Sequence, residues 1–559
     1  MKNRTLYFGD NLEILQKKIP DESFDLIYLD PPFNSSRSYN VLFKEGLRDS
    51  PAQIHAFEDS WHWTHESKHA FDQLITKTNQ NISEMMQAFE KIVGHNDMLA
   101  YLTMMTVRLI ELHRVLKKTG SIYLHCDPTA SHYLKIVLDA IFGKNNFRNE
   151  IIWKRTNSPK SQTNFFGTQH DSIFFYSKSD SHTFNKTYSA IDEDYKKAFM
   201  YDDNDGKGSY QTVAIVAGGV QNYEGRKTYE FQGITAPWLY AKEKLEKLYK
   251  DSLLHKTKSG MYRKKVYLEE IPGKSVSDIW VDESVKPLQG ASKESLNYPT
   301  QKPEALLERI ILASSKEGDW ILDPFCGCGT TIAAAEKLNR KWVGIDITSL
   351  AINLIKHRLR NGLGMGRKEI YIDGLPTDLA GAKELFKKDP FEFEYWALDL
   401  VNAVPSQSKT KDKMRGADKG IDGIIYFHKN MTSGNGNGNG KGKWEYGKAI
   451  VQIKGGAAQR NQIATLKGDV EREKAEAGIF ITLEEPTKPM LGEAVNAGSF
   501  TTALTGKMEF PKIQIITVKE LLRGKIPNLP QGLVENYYKE AKPVDEEKEN
   551  PKQVKLYFF

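Results

Sequence analysis

The amino-acid sequence predicts an α/β protein with two sheet-forming regions, and three observations support this fold class. Short apolar runs typical of buried strands alternate with amphipathic helical patterns over residues 1–180, and the alternation returns at residue 299. Residues 180–290 lose this alternation and become rich in Lys, Tyr, Gly and Asp. The composition changes again after about residue 370, and a second α/β pattern covers residues 386–530. Strands that alternate with helices favour a parallel sheet, which we expect in the first region.

The composition narrows the classes of protein to consider. The chain has 559 residues, enough for three or four domains, and its net charge of +6 permits a nucleic-acid partner. Its 3 cysteines are too few for a disulfide framework and favour a reduced compartment. We find no signal peptide and no run of about 18 apolar residues, so we expect a soluble, cytoplasmic protein without a membrane partner.

The first elements lead to an unusual tetrapeptide. Thr5–Phe8 and Phe24–Leu29 are typical of buried strands, and either Asp10 or Asn11 can cap the helix between them. The second strand is followed directly by Asp30-Pro31-Pro32-Phe33. Two prolines cannot continue a central strand, so the sheet must end at Asp30. The carboxyl ends of strands are where ligands bind in open α/β sheets.

The tetrapeptide has the chemistry to hold a flat ring that carries an amino group. The prolines fix the directions of two acceptors, the Asp30 carboxylate and the Pro31 carbonyl, and an exocyclic amino group has two protons to donate. Phe33 offers a flat face for stacking. We therefore predict a site for an amino-substituted heterocycle at this edge of the sheet.

The next elements fit the same sheet. His125 and Asp127 stand at a strand end, where they either line the ligand pocket or only terminate the strand. The predicted helices are Met98–Leu116 and His132–Phe142, and the predicted strands are Ser121–Asp127, Ile151–Trp153 and Ile173–Tyr176.

Residues 180–290 allow two interpretations. Basic and aromatic residues are mixed in Arg226-Lys227-Thr228-Tyr229 and in Met261–Lys265. One interpretation is a solvated insertion, because charged surfaces are common. The other is a DNA-facing lobe, in which Lys and Arg meet phosphates and aromatic rings meet bases.

A glycine turn joins a strand to a helix where the alternation returns. The turn, Asp323-Pro324-Phe325-Cys326-Gly327-Cys328-Gly329, lies between the strand Asp319–Leu322 and the helix Thr330–Leu338. Its glycines allow close approach to a ligand, and the helix N-terminus favours an anionic group. Asp346 ends the next strand, where an acid typically meets ribose hydroxyls, so we predict a nucleotide-like ligand. The third glycine of a dinucleotide motif is missing, which argues against NAD. The turn's two cysteines have no second pair at ligand spacing, so we expect no zinc site.

The tetrapeptide and the glycine turn together resemble the S-adenosylmethionine-dependent amino-methyltransferases of DNA. Asp30-Pro31-Pro32-Phe33 matches their catalytic tetrapeptide, Phe325-x-Gly327-x-Gly329 matches their cofactor motif, and Tyr298–Pro303 matches the block before it. The order, tetrapeptide first, is that of the β-type, circularly permuted members. Protein-glutamine methyltransferases carry an Asn-Pro-Pro-Tyr version after the glycines, so the order separates this chain from them. The resemblance covers roughly residues 1–365.

The resemblance implies a cofactor, a partner and roles for individual residues. It implies binding of S-adenosylmethionine and of double-stranded DNA, and it is compatible with a homodimer. Asp346 would bind the ribose of the cofactor and Asp10 its adenine end, whereas Thr300 and Lys302 would lie near its carboxylate. The alternatives are that Asp10 only caps its helix and that Lys302 is only solvated. The remaining expected cofactor contacts are in or next to the glycine turn: Asp323, Phe325, Gly327, Gly329 and Thr330.

The resemblance also implies a reaction. An adenine would be flipped out of the duplex and stacked on Phe33, since a base inside the helix cannot reach the site. Its amino protons would bond to Asp30 and to the carbonyl of Pro31, while Pro32 helps to keep the backbone stiff. This arrangement frees the nitrogen lone pair for methylation. We expect N6 of adenine, because Asp at the first position is typical of the adenine enzymes; N4 of cytosine is the alternative.

A second site is predicted in the C-terminal region. Asp422 precedes a strand, and Gln452 and Lys454 share one face of a later strand. This pattern resembles the Mrr-like branch of the restriction nucleases, and Glu394 weakly matches an upstream acid. The resemblance implies Mg2+ held by Asp422 and Gln452, with Lys454 orienting a water or stabilising the phosphate. Gln452 is neutral and predicts weak Mg2+ binding, so the alternatives are a domain that only binds DNA, or a turn aspartate and an exposed lysine without a catalytic role.

The predicted fold class is therefore α/β: a Rossmann-like methyltransferase sheet with an inserted target-recognition region, plus a C-terminal α/β restriction-endonuclease-like domain. We expect such a protein in a restriction-modification system. The expected domains are the catalytic half at 1–180, the target-recognition insertion at 181–290, the cofactor-binding half at 291–370, the nuclease-like domain at 386–535 and a charged tail at 536–559.

Overall fold

The computed structural model describes residues 1–32, 37–45, 48–59, 63–156, 166–217, 228–288, 292, 294–296, 298, 300–366, 369–405, 420–432 and 443–530. The chain divides into two compact units. The larger comprises Met1–Asn185 and the described residues from Asp278 onward, and the smaller comprises Lys186–Ser277. Phe33, Arg226, Lys227 and the expected tail at 536–559 lie outside the described residues.

The amino-terminal part of the larger unit combines strands with a group of helices. Its strands are β1 (Thr5–Phe8), β2 (Phe24–Leu29), β3 (Arg37–Glu45), β4 (Arg48–Asp59), β5 (Leu116–Cys126), β6 (Phe147–Lys154) and β7 (His170–Ser177). Its helices are α1 (Asn11–Lys18), α2 (His65–Lys77), α3 (Gln80–Val93), α4 (Asp97–Val115) and α5 (Ser131–Phe142).

The smaller unit is built from short strands. They are β8 (Tyr188–Ser189), β9 (Tyr210–Ala214), β10 (Tyr229–Phe231), β11 (Ile234–Ala236), β12 (Leu254–Lys256), β13 (Tyr262–Tyr267) and β14 (Lys274–Ser275), with helices α6 (Glu193–Lys196) and α7 (Lys242–Lys250). Ile215, Phe231, Trp238, Leu245 and Tyr262 form its own apolar core.

Part of the basic segment at Met261–Lys265 is engaged inside the smaller unit. The Lys265 ammonium pairs with the Asp203 carboxylate, and Arg263 donates to the Thr212 hydroxyl (2.9 Å) and carbonyl (2.9 Å). Both cations are therefore engaged in contacts within the unit. This favours a structural role for Arg263 and Lys265 over contact with DNA phosphates.

The larger unit resumes at Asp278 and returns to strands alternating with longer helices. It continues with β15 (Ile279–Trp280), α8 (Glu304–Ser314), β16 (Trp320–Asp323), α9 (Thr330–Lys337), β17 (Lys341–Asp346), α10 (Ser349–His357) and β18 (Tyr371–Asp373). The C-terminal region adds α11 (Leu379–Lys388), α12 (Pro390–Leu400), β19 (Val404–Pro405), β20 (Gly423–Thr432), β21 (Lys443–Lys454), α13 (Arg460–Arg472), β22 (Ala477–Thr482), α14 (Lys488–Val495), β23 (Ser499–Phe500), β24 (Phe510–Pro511), β25 (Ile513–Thr517) and α15 (Val518–Leu522). Within the described residues, no helix is both long enough and apolar enough to cross a membrane.

Nine of the described strands form one sheet in the order β15-β6-β7-β5-β2-β16-β17-β1-β18. From β5 to β18 every neighbouring pair is parallel, whereas β7 runs antiparallel to both β5 and β6. The α/β fold class is confirmed, but the expectation of a parallel sheet is wrong at β7. The reason is that β6 and β7 are consecutive both in the chain and in the sheet, and antiparallel neighbours need no crossover helix.

Four neighbouring parallel strands bring the predicted site residues to one edge of this sheet. Asp30 follows β2, Asp323 ends β16, Asp346 ends β17, and Asp10 follows β1. The carboxyl ends of parallel strands meet at the same edge, so four acidic residues that are far apart in sequence lie along one border.

The helices near the amino terminus hold this edge in place. Leu102 and Leu109 of α4 are fully buried in one cluster with Phe24, Leu29 and Leu124 of the central strands. The predicted helix at Met98–Leu116 is thus confirmed as α4, and its apolar face lies in the core.

The C-terminal region has its own five-stranded sheet, among the described residues, in the order β19-β20-β21-β22-β25. One face packs on α11, α12 and α15 through residues such as Phe393, Val451 and Ile453. The opposite face packs on α13 and α14 through residues such as Ile450 and Leu466. Side chains alternate along a strand, so Gln452 and Lys454 of β21 belong to the face of α13.

Candidate active site

Asp30 lies at the carboxyl edge, at the end of the buried strand β2. Its Oδ2 forms an ion pair with the Nζ of Lys302, and the two side chains are only 17% and 8% exposed. Its Oδ1 is buried and has no hydrogen-bond partner in the described part of the chain. A buried acceptor without a donor costs free energy, so this oxygen is positioned for a donor that a ligand supplies. Pro31 is buried beside it and Pro32 is partly buried.

Lys302 is largely buried and pairs with Asp30, and its expected position near a cofactor carboxylate stays a prediction. Its ammonium group contacts the Asp30 carboxylate and also donates to the carbonyl of Thr300 at 3.3 Å. Thr300 has a φ of +64°, a left-handed conformation that few non-glycine residues adopt. This turn therefore places the Lys302 ammonium against Asp30 rather than in solvent.

Replacing Lys302 with methionine is expected to lower the free energy of unfolding by about 3 kcal/mol, because it leaves the buried carboxylate of Asp30 unpaired. The double variant Asp30→Asn/Lys302→Met should lose less than the Lys302→Met variant alone, since it removes both charges. Urea unfolding at neutral pH measures both values. A Lys302→Met variant as stable as the wild type would show that the pair is not maintained in solution.

The glycine turn and Asp346 are joined by hydrogen bonds. Gly327 N donates to Asp346 Oδ2 at 2.8 Å, while Thr348 donates to Oδ1 from its N and from its Oγ1, both at 2.9 Å. A carboxylate has about four lone-pair sites. Asp346 therefore holds the turn and its own loop and still has the capacity to accept from a hydroxyl group.

Asp323 and Thr330 form hydrogen bonds at the two ends of the turn. Phe325 N donates to Asp323 Oδ1 at 3.1 Å, and Arg358 donates to the Thr330 hydroxyl at 3.2 Å. Burial raises the pKa of Asp323 to about 7, and the nearby carboxylates of Asp30 and Asp346 add to the rise. Partial protonation of Asp323 near neutral pH lowers the negative charge at an edge that already holds two other carboxylates.

The two glycines of the turn are required by their surroundings. Gly327 has a φ of +47°, and a Cβ added there would lie 3.3 Å from the Tyr298 ring. Gly329 has a φ of +73°, and a Cβ there would lie 2.6 Å from Cγ1 of Ile355 on α10. The turn is therefore both left-handed and tightly packed.

We expect Gly329→Ala to lower the free energy of unfolding by about 3 kcal/mol, from the strained φ and the overlap with Ile355. Gly468→Ala is the matched control, because Gly468 lies on the exposed side of α13 with nothing within 4 Å of an added Cβ. That control should raise stability by about 0.4–1 kcal/mol. Equal effects of the two substitutions on thermal unfolding would contradict the packing at Gly329.

Asp10 caps α1, as one of the two alternatives predicted. Its Oδ1 accepts from Leu12 N (2.9 Å) and Glu13 N (3.2 Å), and its Oδ2 accepts from Arg108 at 2.7 Å. Its side chain is 41% exposed and stays able to accept further hydrogen bonds.

Two residues that sequence reasoning did not assign to the site connect Asp10 to the glycine turn. Asn11 donates from Nδ2 to the carbonyl of Pro324 at 2.8 Å, and it accepts from Nε of Arg108 at 2.6 Å. Arg108 is buried in α4. The available signal was an arginine within an otherwise apolar helix face, because a buried charge needs a partner.

His125 and Asp127 both make structural contacts at the carboxyl end of β5. His125 is fully buried and shares hydrogen bonds with the Tyr28 hydroxyl (2.9 Å) and with Asp171 (3.2 Å). Asp127 accepts from Thr129 N (3.0 Å) and Thr129 Oγ1 (3.2 Å), in the turn before α5. Both residues therefore stabilise the sheet end that carries the tetrapeptide.

The C-terminal residues converge near the start of β20. Asp422 donates from N to the Val451 carbonyl (2.8 Å) and accepts at Oδ2 from Ile453 N (2.6 Å). Gln452 Oε1 is buried without a hydrogen-bond partner among the described residues. A Cβ on Gly420 would lie 3.4 Å from Gln452 Nε2, so Gln452 faces the loop that carries Asp422. Lys454 is partly buried on the same face of β21.

Asp469 of α13 is a further acid at this place that sequence reasoning missed. Its Oδ2 lies 3.7 Å from the position that a Cβ on Gly420 would take, and it has no hydrogen-bond partner within the described ranges. Its Oδ1 pairs with Arg472 at 2.6 Å. The signal was an acid between Leu466 and Val470 on the buried helix face. No group of three or more His, Cys, Asp or Glu side chains able to hold a metal ion occurs in the part of the chain that the structure describes.

Comparison with known proteins agrees with this organisation. The family model described as DNA methylase matches residues 24–357, and the one described as restriction endonuclease (Mrr_cat) matches residues 385–522. The Type II methyltransferase M.EcaI of Enterobacter cloacae is 29% identical over 366 residues, which are 65% of this chain and 70% of the relative. The DNA adenine methyltransferase YhdJ of Escherichia coli K12 is 26% identical over 362 residues, 64% of this chain and 82% of the relative.

Solved structures include TTHA0409 of Thermus thermophilus, described as a DNA modification methylase and solved with S-adenosyl-L-methionine. It has a TM-score of 0.31 and 15% identity, and the match covers 67% of this chain and 99% of that chain. The two family matches confirm both resemblances drawn from the motifs, at the two places in the chain where they were predicted.

Proposed function

The chain belongs to the DNA methylase family, and from this premise we propose that it transfers a methyl group from S-adenosylmethionine to N6 of adenine in double-stranded DNA. The observation that carries the proposal is Oδ1 of Asp30, a buried carboxylate oxygen without a donor, among the described residues, at the ligand-binding edge of the sheet. An amino group has the proton that this oxygen needs. The chemistry thus matches the residues that lie there.

The described residues fit the methyl donor. Gly327 has no Cβ, and a Cβ there would lie 3.3 Å from the Tyr298 ring, so the glycine keeps this space open for a ligand. Asp346 retains an acceptor site for a ribose hydroxyl. Asn11 and Arg108 brace the turn from the side of Asp10. When bound, S-adenosylmethionine supplies a methyl group on a positively charged sulfur. The carboxylates of Asp30 and Asp346 at this edge favour such a cation.

Asp30 and Pro31 make the adenine amino nitrogen a better nucleophile. Its lone pair is normally delocalised into the ring, and hydrogen bonds from its two protons to Asp30 Oδ1 and to the Pro31 carbonyl favour a pyramidal nitrogen. Positive charge grows on this nitrogen as the nitrogen–carbon bond forms and the methyl–sulfur bond breaks with its electron pair left on sulfur, and the Asp30 carboxylate stabilises that charge. The nitrogen then loses its extra proton to water. A hydrogen bond to a charged group contributes about 1.5–3 kcal/mol. Lys302 fixes Oδ2, so that Oδ1 is the oxygen left for the substrate.

Adenine is the proposed base and N4 of cytosine the alternative. Asp30 at the first position of the tetrapeptide supports adenine through the resemblance described above, and the relative YhdJ is named a DNA adenine methyltransferase. The base must leave the duplex to reach Asp30, so we propose that the smaller unit, Lys186–Ser277, contributes to binding the flanking DNA.

A second activity is proposed for the C-terminal region on the strength of its Mrr_cat match. Mg2+ prefers oxygen ligands, and the Asp422 carboxylate and the Gln452 amide oxygen fit that preference. The Oε1 of Gln452 has no hydrogen-bond partner within the described ranges. Bound Mg2+ would stabilise charge on a phosphate during DNA cleavage. Lys454, on the same face as Gln452, would orient the attacking water. Together with the methyltransferase this makes a restriction-modification protein in one chain.

Transfer of a labelled methyl group from S-adenosylmethionine to double-stranded DNA tests the first proposal. We expect labelled DNA and no label on protein. Label on protein only, or DNA binding without any transfer, would contradict the proposal and favour a cofactor-sensing DNA-binding protein instead.

A further inference from the structure

Glu392, in the C-terminal region, makes a polar contact with the cofactor-binding half. Glu392 of α12 accepts a hydrogen bond at Oε2 from the backbone N of Ser349, the first residue of α10, at 2.9 Å. Burial raises the pKa of Glu392 to about 7, with the charges of Asp389 and Asp346 adding to the rise. Glu392 is partly buried, and its carboxylate is held at the start of α10 by this hydrogen bond.

Glu392 contacts the loop that carries Asp346. Asp346 accepts from Thr348 N and Oγ1 and from Gly327 N, and Glu392 accepts from the very next backbone N–H, that of Ser349. Two acids from different parts of the chain therefore hold consecutive amides at the start of α10. Negative groups at a helix N-terminus are stabilising, and together they leave this loop little freedom.

We propose that Glu392 is a positioning residue for the methyl donor, contributed by the nuclease-like region, which holds the Asp346–Ser349 loop in the conformation that binds the donor's ribose. This inference rests on the proposed function. It means that the C-terminal region is part of the methyltransferase site rather than an independent appendage.

The surrounding interface makes such an arrangement stable. Tyr298, Cys328 and Leu350 of the cofactor half pack in one apolar cluster with Val404 and Tyr426 of the C-terminal region. Cys328 lies in the glycine turn and Tyr298 lies against Gly327, so the C-terminal sheet packs against the turn.

A second polar contact in this interface offers a matched control. At the other end of α10, Lys356 donates to the Asp399 carboxylate at 3.0 Å, and both side chains are largely buried. This pair joins the same two helices as Glu392 and Ser349, but it lies two turns away from Asp346. Removing it weakens the interface without touching the loop.

The test compares the Kd for S-adenosylmethionine of the full-length wild type, Glu392→Met and Asp399→Asn by isothermal titration calorimetry. Methionine has a similar size but no acceptor oxygen for the Ser349 N–H, so we expect Glu392→Met to raise Kd about tenfold while kcat at saturating donor stays within twofold. Asp399→Asn should leave Kd within twofold. Thermal unfolding of each variant establishes that it is folded.

Ser349→Pro provides a second, independent variant. Proline is tolerated at the first position of a helix and lacks the N–H that Glu392 accepts, and Thr348 already has the extended conformation that a residue before proline needs (φ −105°, ψ 132°). It should raise Kd as Glu392→Met does, and the double variant should add little.

An unchanged Kd in Glu392→Met and Ser349→Pro, or an equal rise in Asp399→Asn, would overturn the positioning role. A wild type that binds no donor at all would instead overturn the proposed function, on which the inference rests.

Discussion

Replacing Asp30 with asparagine is expected to lower kcat for methyl transfer by about 10- to 100-fold, with the Kd for S-adenosylmethionine within twofold of the wild-type value. The variant keeps the shape of the side chain and removes the charge that stabilises the developing cation on nitrogen. A charged hydrogen bond contributes about 1.5–3 kcal/mol, and each 1.36 kcal/mol corresponds to a factor of ten in rate. Steady-state kinetics and calorimetry on the same preparation measure the two quantities.

Two comparisons make this result specific. Asp72→Asn alters an exposed aspartate on α2 and should leave kcat unchanged. Asp30→Asn also leaves the Lys302 ammonium without its carboxylate, so the variant is compared with Asp30→Asn/Lys302→Met to separate lost stability from lost catalysis. Full activity in Asp30→Asn would remove Asp30 from the mechanism.

The second large effect is expected at Asp422. Asp422→Ala should lower Mg2+-dependent cleavage of unmethylated DNA by about 100-fold or more, because a carboxylate ligand of a catalytic metal contributes several kcal/mol. Methyl transfer should persist in this variant, since the Asp422 carboxylate accepts from the backbone of β21, in the C-terminal sheet. A gel assay with and without Mg2+ measures cleavage.

Glu484→Ala is the control for this experiment, because Glu484 is half-exposed and its side chain pairs with Lys383 on the surface. It should cleave like the wild type. If the wild type itself does not cut DNA at any Mg2+ concentration, the Asp422 prediction is wrong.

Local patterns were enough to predict most of the elements around the site. The apolar spacing of Met98–Leu116 predicts α4 to within one residue at each end, and the two prolines after Asp30 correctly predict the end of β2. The glycine turn was found because its two glycines, at 327 and 329, lie between a strand and a helix, and both have positive φ in the structure.

Contacts between distant residues were not accessible to the same reasoning. Lys302 reaches Asp30 across 272 positions of the chain, and Arg108 reaches Asn11 across 97. Periodicity predicts which face of an element is buried, but it does not predict which buried charge meets which. The antiparallel β7 was missed for a related reason, because pairing direction depends on the connection and not on the strand's own residues.

The acid on α12 shows the same limit on a smaller scale. The motif predicts Glu394 as an upstream acid of the nuclease-like site, and no sequence pattern points to Glu392, whose side chain accepts from Ser349 N. Only the packing of α12 on α10 reveals that Glu392 contacts the loop of Asp346.

The most direct test of the account is to identify the modified base in DNA. DNA from cells that express the full chain is digested to nucleosides and analysed by mass spectrometry, and the same DNA is sequenced for modified positions. We expect N6-methyladenine at one recurring sequence, and its absence from cells expressing Asp30→Asn. N4-methylcytosine in its place, or no methylated base at all, would contradict the proposed activity.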